Sequence, residues 1–167
     1  MGGVVLLIIA ALGAECAGSD KNAAAPPKAD HIIIFKSTRI MTLVREGMVL
    51  KIYKVALGGQ PVGKKDREGD HKTPEGDYLI DMKNSESRFH LSLHISYPDT
   101  SDRENARKLH LHPGGSIMIH GLPAMFGWVG ALHRQMDWTD GCVAVTNLEI
   151  EEIWKMVDVG TPVKILP

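Results

Sequence analysis

Short apolar runs broken by glycine turns dominate the sequence after residue 30, and they limit the fold more than any other feature. His31 to Phe35, Arg39 to Arg45 and Met48 to Leu57 are rich in β-branched and large apolar residues. The last two are joined by Glu46-Gly47, a dipeptide suited to a tight hairpin turn. Tyr78 to Met82 and Phe89 to Ser96 alternate in polarity as half-buried strands do. Ser116 to Ile119, Cys142 to Val145 and Pro162 to Leu166 complete the set. Gly63 to Gly76 is polar and glycine-rich and reads as a long loop, and Leu122 to Trp138 as an irregular aromatic one. Two segments have helical character. Ser101 and Glu104 are spaced as a capping box ahead of a sparse stripe, Ala106 and Leu109. Thr146 and Glu149 form a second box ahead of Leu148, Ile153, Trp154 and Val157. The expected fold is mainly β, with one or two peripheral helices.

The amino terminus has a different character. Val4 to Leu12 is an unbroken apolar run, too short to span a bilayer as a helix but of the length of a signal-peptide core. Residues 1–16 are therefore expected to be an export or lipoprotein leader, with Cys16 as the acylation site and membrane attachment point in the second case. Residues 17–30 read as a flexible linker, and residues 31–167 as one catalytic domain. The expected destination is the periplasm or cell envelope. Charge is nearly balanced, 19 Lys and Arg against 20 Asp and Glu, and only 5% of residues are aromatic. That balance gives nucleic acid no basic footprint to bind.

The chain has two cysteines, Cys16 and Cys142. If Cys16 belongs to a leader, Cys142 is the one thiol left for disulfide or catalytic use, and exported proteins usually keep cysteines in pairs. Cys142 is then either an inert core residue or a reactive one. Its surroundings favour reactivity. Thr139-Asp140-Gly141-Cys142 and Ile119-His120-Gly121 each set a reactive side chain beside a glycine where an apolar strand meets a turn. Imidazole near a thiol lowers the thiol's pKa and holds a thiolate ready. The amides of Gly141 and Cys142 could form an oxyanion hole. His120 and Cys142 suit acyl transfer through a thioester.

The order of these segments resembles the L,D-transpeptidase (YkuD-like) catalytic domain family, whose signature is His-Gly followed by Ser/Thr-x-Gly-Cys. Upstream, Val55-Ala56-Leu57-Gly58, Gly63-Lys64, Gly69-Asp70 and Thr73-Pro74-Glu75-Gly76-Asp77-Tyr78 are also similar to the family, so the likeness runs from about Ile32 to Leu166. The resemblance implies a β-sandwich-like domain, peptidoglycan stem peptides as substrate, and neither metal nor organic cofactor. It implies that Cys142 is the nucleophile and His120 its base, with Gly141, Thr139 and Gly121 supporting them. An amine acceptor would give cross-links or exchange of the terminal D-residue; water would make the enzyme an endopeptidase or hydrolase that detaches stem-linked groups. A carbapenem adduct on Cys142 is a further expectation. Asp140 stands where the family often has histidine, and Ala144 where it often has arginine.

Other residues have candidate roles. Asp140 could meet an amine-bearing substrate, Arg134 a stem carboxylate, and His133 and Trp128 could line the cleft, each otherwise a solvated or anchoring loop residue. Gly127 and Gly130 would let that loop move as a lid. Two rival readings stand. His110, His112 and His120 could form a three-histidine zinc site, or the chain could be a non-catalytic binding domain with a degenerate site.

Overall fold

The computed structural model describes residues 25–167; the expected leader, including Val4 to Leu12 and Cys16, lies outside them. The domain is mainly β. Strands β1 (His31–Phe35), β2 (Ile40–Arg45), β3 (Met48–Lys54), β4 (Gly76–Asn84), β5 (Ser92–Ile95), β6 (Met118–His120), β7 (Val143–Ala144) and β8 (Pro162–Leu166) lie in the order β3-β2-β1-β8-β4-β5-β6-β7. The β1–β8 and β6–β7 pairs are parallel. The Glu46-Gly47 turn joins β2 to β3 as expected, with both residues at positive φ (52° and 76°), the geometry of a type I′ hairpin turn.

The sheet curls until its two ends meet. Beyond β3, the amide of Ala56 donates to the Ala144 carbonyl in β7 at 3.0 Å, and the Ala144 amide returns the bond at 2.8 Å. Gly58 then bridges Thr139. The edge that an open sheet would leave unpaired is thus partly satisfied by the opposite edge; Cys142 lies along this seam, and His120 pairs with Ala144 one strand further in.

Alternation along the strands turns Ile32, Ile34, Met41, Leu43, Ile80, Leu93, Ile95, Val163 and Ile165 inward, all at most 1% exposed. Helix α2 (Asn147–Met156) covers this core. Its capping box is the expected one: the Thr146 hydroxyl accepts from the Glu149 amide, and the Glu149 carboxylate accepts from the Thr146 amide. Its buried stripe is different. Ile150, Ile153 and Met156 face inward, followed by Val157, whereas Leu148 is 79% exposed. Ile150, Ile153 and Val157 follow helical spacing, and Leu148 projects from another side of that period. Trp154 is half-buried beneath the Lys83 ammonium, 4.4 Å from the ring centre.

Helix α1 (Thr100–Lys108) begins one residue before the expected start and has a different cap. Asp99 accepts from the Asp102 amide at 2.7 Å, and Asp102 accepts from the Asp99 amide at 3.2 Å. Glu104, expected in the box, pairs with Arg107 instead. The reason is burial. Asp102 also accepts the Tyr78 hydroxyl at 2.9 Å and meets Lys64 at 2.9 Å, tying the helix start to β4. The expected strand Phe89 to Ser96 shrinks to Ser92–Ile95, with Phe89 in a turn that lines a cavity. The Leu122 to Trp138 segment contains a run of 3₁₀ turns, Ala124–Gln135, broken at Gly130 (φ 51°).

The polar 63–76 loop is organised by buried cations. The Lys36 ammonium donates to the carbonyls of Gly63 and Thr73 and to Glu75. Burial lowers its pKa against the opposing pull of Glu75. Lys65 pairs with Asp70 at 2.7 Å. Burial alone would raise the Asp70 carboxyl, but Lys65 and three backbone amides hold it at about 2. Ahead of β1, Ala29 is already buried and its amide donates to Met156, so the packed domain reaches slightly further back than residue 31.

Candidate active site

Cys142 sits in the turn that enters β7, and its setting is built by Thr139, Gly141 and the seam. The buried Thr139 hydroxyl donates to the Cys142 carbonyl at 2.7 Å and accepts from the Gly141 amide at 3.1 Å. Gly141 has φ 127°, and a Cβ there would stand 2.6 Å from the Lys72 carbonyl and 3.0 Å from Ile117 Cδ1, so only glycine fits. Across the seam, a Cβ on Gly58 would lie 2.2 Å from the His71 carbonyl and 3.1 Å from Gly141 Cα. The Gly58 amide donates to the buried Thr73 hydroxyl at 3.0 Å. The two upstream segments therefore brace the backbone under the cysteine.

His120 ends β6, 3% exposed. Its Nδ1 lies 2.7 Å from the Gly121 carbonyl. A carbonyl can only accept, so Nδ1 carries the proton and Nε2 keeps a free lone pair, the tautomer a general base needs. The ring is held by Phe89, 4.5 Å between centroids, and by the Trp138 edge at 5.9 Å. A Cβ on Gly121 would meet Asn147 Oδ1 at 2.7 Å and Ile150 at 2.9 Å, so this glycine lets α2 approach the histidine closely. Asn147 Oδ1 also accepts from the Leu122 amide at 2.7 Å.

Both side chains line one cavity of about 560 Å³, with Arg88, Phe89, Ser116, Met118, Trp138 and Asp140 among its walls. The Cys142 thiol points to the Ser116 carbonyl at 3.5 Å. Burial pushes the thiol pKa up, and the Asp140 carboxylate adds to that; the Met118 backbone N–H and Lys65 pull the other way. Burial also lowers the His120 pKa, with Arg88 adding to the effect and the Gly121 bond opposing it. Burial works against both the thiolate and the imidazolium, since neither charge is well solvated here, and so favours the neutral thiol and neutral imidazole. Such a pair is suited to proton transfer concerted with attack.

Not every candidate reaches this cavity. Arg134 is held through one guanidinium nitrogen by Glu149, whose carboxylate also caps α2, and it does not line this cavity. His133 is buried and its Nδ1 accepts from the Trp138 indole at 3.4 Å; burial and neighbouring Arg134 lower its pKa to about 4. It lines a separate apolar cleft of about 370 Å³ behind Trp138. Trp128 is 82% exposed and lines neither cavity. Asp140 does line the site, and its carboxylate is 2.8 Å from His71 Nδ1. The Gly141 amide, expected in an oxyanion hole, is turned to Thr139. His110 and His112 lie in no strand; both are exposed, and His112 pairs with Glu68 at 3.0 Å. Among the described residues no three His, Cys, Asp or Glu side chains gather as a metal site. The sequence reading missed Phe89, Ser116, Asn147 and Arg88. Three of these act through backbone placement or packing, which leave no motif; Arg88 lies between the two segments read as strands and carries no motif either.

The YkuD family model, described as the L,D-transpeptidase catalytic domain, matches residues 29–165. The putative L,D-transpeptidase YafK of Escherichia coli strain K12 is 32% identical over 133 residues, which cover 76% of this chain and 46% of that protein. The chain thus spans about half the length of this curated relative. Among solved structures, the helical cell shape determining protein Pgp2 of Campylobacter jejuni is 26% identical, with a TM-score of 0.62 over 88% of this chain and 51% of that one. Bd1075 of Bdellovibrio bacteriovorus shares the fold at 22% identity, with a TM-score of 0.58 over 83% of this chain and 48% of that one.

Proposed function

Because this chain belongs to the L,D-transpeptidase catalytic domain family, we propose that it is a cysteine acyl-transferase acting on peptidoglycan stem peptides, with Cys142 as nucleophile and His120 as general base and acid. The observation that carries the reading is the shared cavity: a half-buried thiol and a buried histidine, its tautomer fixed by Gly121, open into one space of peptide size.

In this mechanism the His120 Nε2 lone pair takes the thiol proton as sulfur attacks the carbonyl carbon of the stem's third residue. The tetrahedral oxyanion forms beside the Cys142 turn. As it collapses, the carbon–nitrogen bond breaks and His120 returns the proton to the departing nitrogen, leaving a thioester. An amine from a second stem enters where the first nitrogen left, gives its proton to His120 and takes the acyl group as the carbon–sulfur bond breaks, and His120 returns the proton to the Cys142 sulfur. Water in the same place gives the hydrolytic outcome. Thr139 and Gly121 position the pair. An exported location, and attachment through Cys16 where the leader is of the lipoprotein type, follow from the sequence before residue 17. A role in cell shape is the corresponding physiological reading, given the description of Pgp2.

The test is the full chain incubated with purified tetrapeptide muropeptides, with and without an added D-amino acid, read by mass spectrometry. Released D-alanine or exchanged product from the unaltered chain, lost in Cys142→Ala, is expected, as is a carbapenem adduct on Cys142. Equal turnover by the Cys142→Ala variant refutes the reading.

A further inference from the structure

Three charged side chains, Glu86, Arg88 and Asp140, line the cavity. Asp140 lies beside Cys142 on one side, held by His71. On the other side Arg88 lies over Phe89, its guanidinium carbon 5.0 Å from the ring centre, and that ring packs at 4.5 Å on His120. Arg88 is exposed and lines the same cavity as both reactive side chains. A cation therefore flanks the imidazole, and an anion flanks the thiol.

The acyl-transfer reading, on which this inference rests, fixes which part of a substrate meets each side. His120 delivers its proton to the departing nitrogen, so the departing residue occupies the imidazole side. When that residue is the last of the stem, its α-carboxylate is attached to the carbon that bears that nitrogen. We infer that Arg88 binds the α-carboxylate of the residue released from the acyl donor and so selects stems with a free carboxyl end. The guanidinium fork matches a carboxylate in two parallel hydrogen bonds, and Phe89 beneath it restricts its orientation. The other candidates are spoken for: Arg134 is committed to Glu149, and Ala144 is buried and uncharged. Asp140 on the opposite side repels a carboxylate and so discourages the reversed orientation.

The experiment compares two stem tetrapeptides that differ only at the end, D-alanine as free acid or as carboxamide. Binding is measured by calorimetry to the full chain carrying Cys142→Ala, with Arg88 intact, Arg88→Ala or Arg88→Lys; D-alanine or D-alaninamide release is followed with the unaltered chain. With Arg88 the acid should bind about tenfold more tightly than the amide, the value expected for a charge-assisted contact discounted for exposure. Arg88→Ala should erase that preference by weakening the acid alone, and Arg88→Lys should restore part of it. Release of D-alanine without any acid preference in binding, or Arg88→Ala weakening both ligands alike, overturns the assignment and leaves acyl transfer standing. No release by the unaltered chain overturns the acyl-transfer reading and the assignment with it.

Discussion

Replacing Thr139 by valine removes one hydroxyl from the site while nearly preserving the side chain's shape. That hydroxyl donates to the Cys142 carbonyl and accepts from the Gly141 amide. Losing the first bond costs about 1 kcal/mol net, and stranding a buried amide costs about 1–3 kcal/mol more. The sum, roughly 3 kcal/mol, should lower the Tm of a domain this size by about 6–12 °C. Thr139→Ser keeps the oxygen and loses one methyl, about 0.8 kcal/mol, so its Tm should fall by only about 2–3 °C. Activity should separate the two further. A nucleophile displaced by about 1 Å can lose about a hundredfold in rate; the valine variant should lose at least about tenfold in kcat/KM, and the serine variant little. Thermal unfolding followed by far-UV circular dichroism, with D-alanine release as the rate assay, decides the matter. A valine variant that melts within about 2 °C of the serine variant would show that the two hydrogen bonds do not support the turn.

Arg134→Ala should lower stability by about 1–2 kcal/mol in a denaturant titration, since it removes a mostly buried partner of Glu149 and weakens the α2 cap. KM for a stem peptide should stay within about twofold, because the guanidinium is not in the substrate cavity; a large KM rise with unchanged stability would contradict this. His133 has a folded-state pKa of about 4, below its ordinary value near 6.5. The unfolded chain therefore binds its proton first on acidification, so the stabilising contribution is complete above about pH 6.5 and is lost as pH falls toward about 4. At about 1.4 kcal/mol per pH unit, and halved for partial screening, that loss is roughly 2 kcal/mol. Urea midpoints at pH 7 and pH 4.5 should converge in His133→Gln relative to the unaltered chain; identical acid sensitivity in both would refute the assignment.

The candidate pair stood out in the sequence because it sets rare residue types beside glycines that the backbone itself demands. Gly141 and Gly121 stand where a Cβ has no room, so the motif is a steric necessity written into one dimension. The β1, β2, β3 and β8 segments were equally readable as short β-branched and apolar runs, and in β1 and β8 burial alternates with period 2. The α2 capping box was legible for the same local reason.

Other features depend on partners far along the chain. The α1 cap went to Asp99 because Tyr78 and Lys64 bury Asp102, and nothing within residues 99–108 announces that. Arg134 looked free in sequence and is paired with Glu149 in space, while Arg88, between two segments read as strands, stands over the aromatic ring that packs on His120. Protonation also belongs to the tertiary level: the sequence suggests an imidazole that holds a thiolate ready, and burial works against both charged forms. Local spacing is set by backbone geometry within a few residues, so the sequence alone carried the strands, the glycines and the candidate pair. Closure of the sheet, the sharing of one cavity and the placement of charge around it arise from contacts between residues distant in the chain, and only folding decides them.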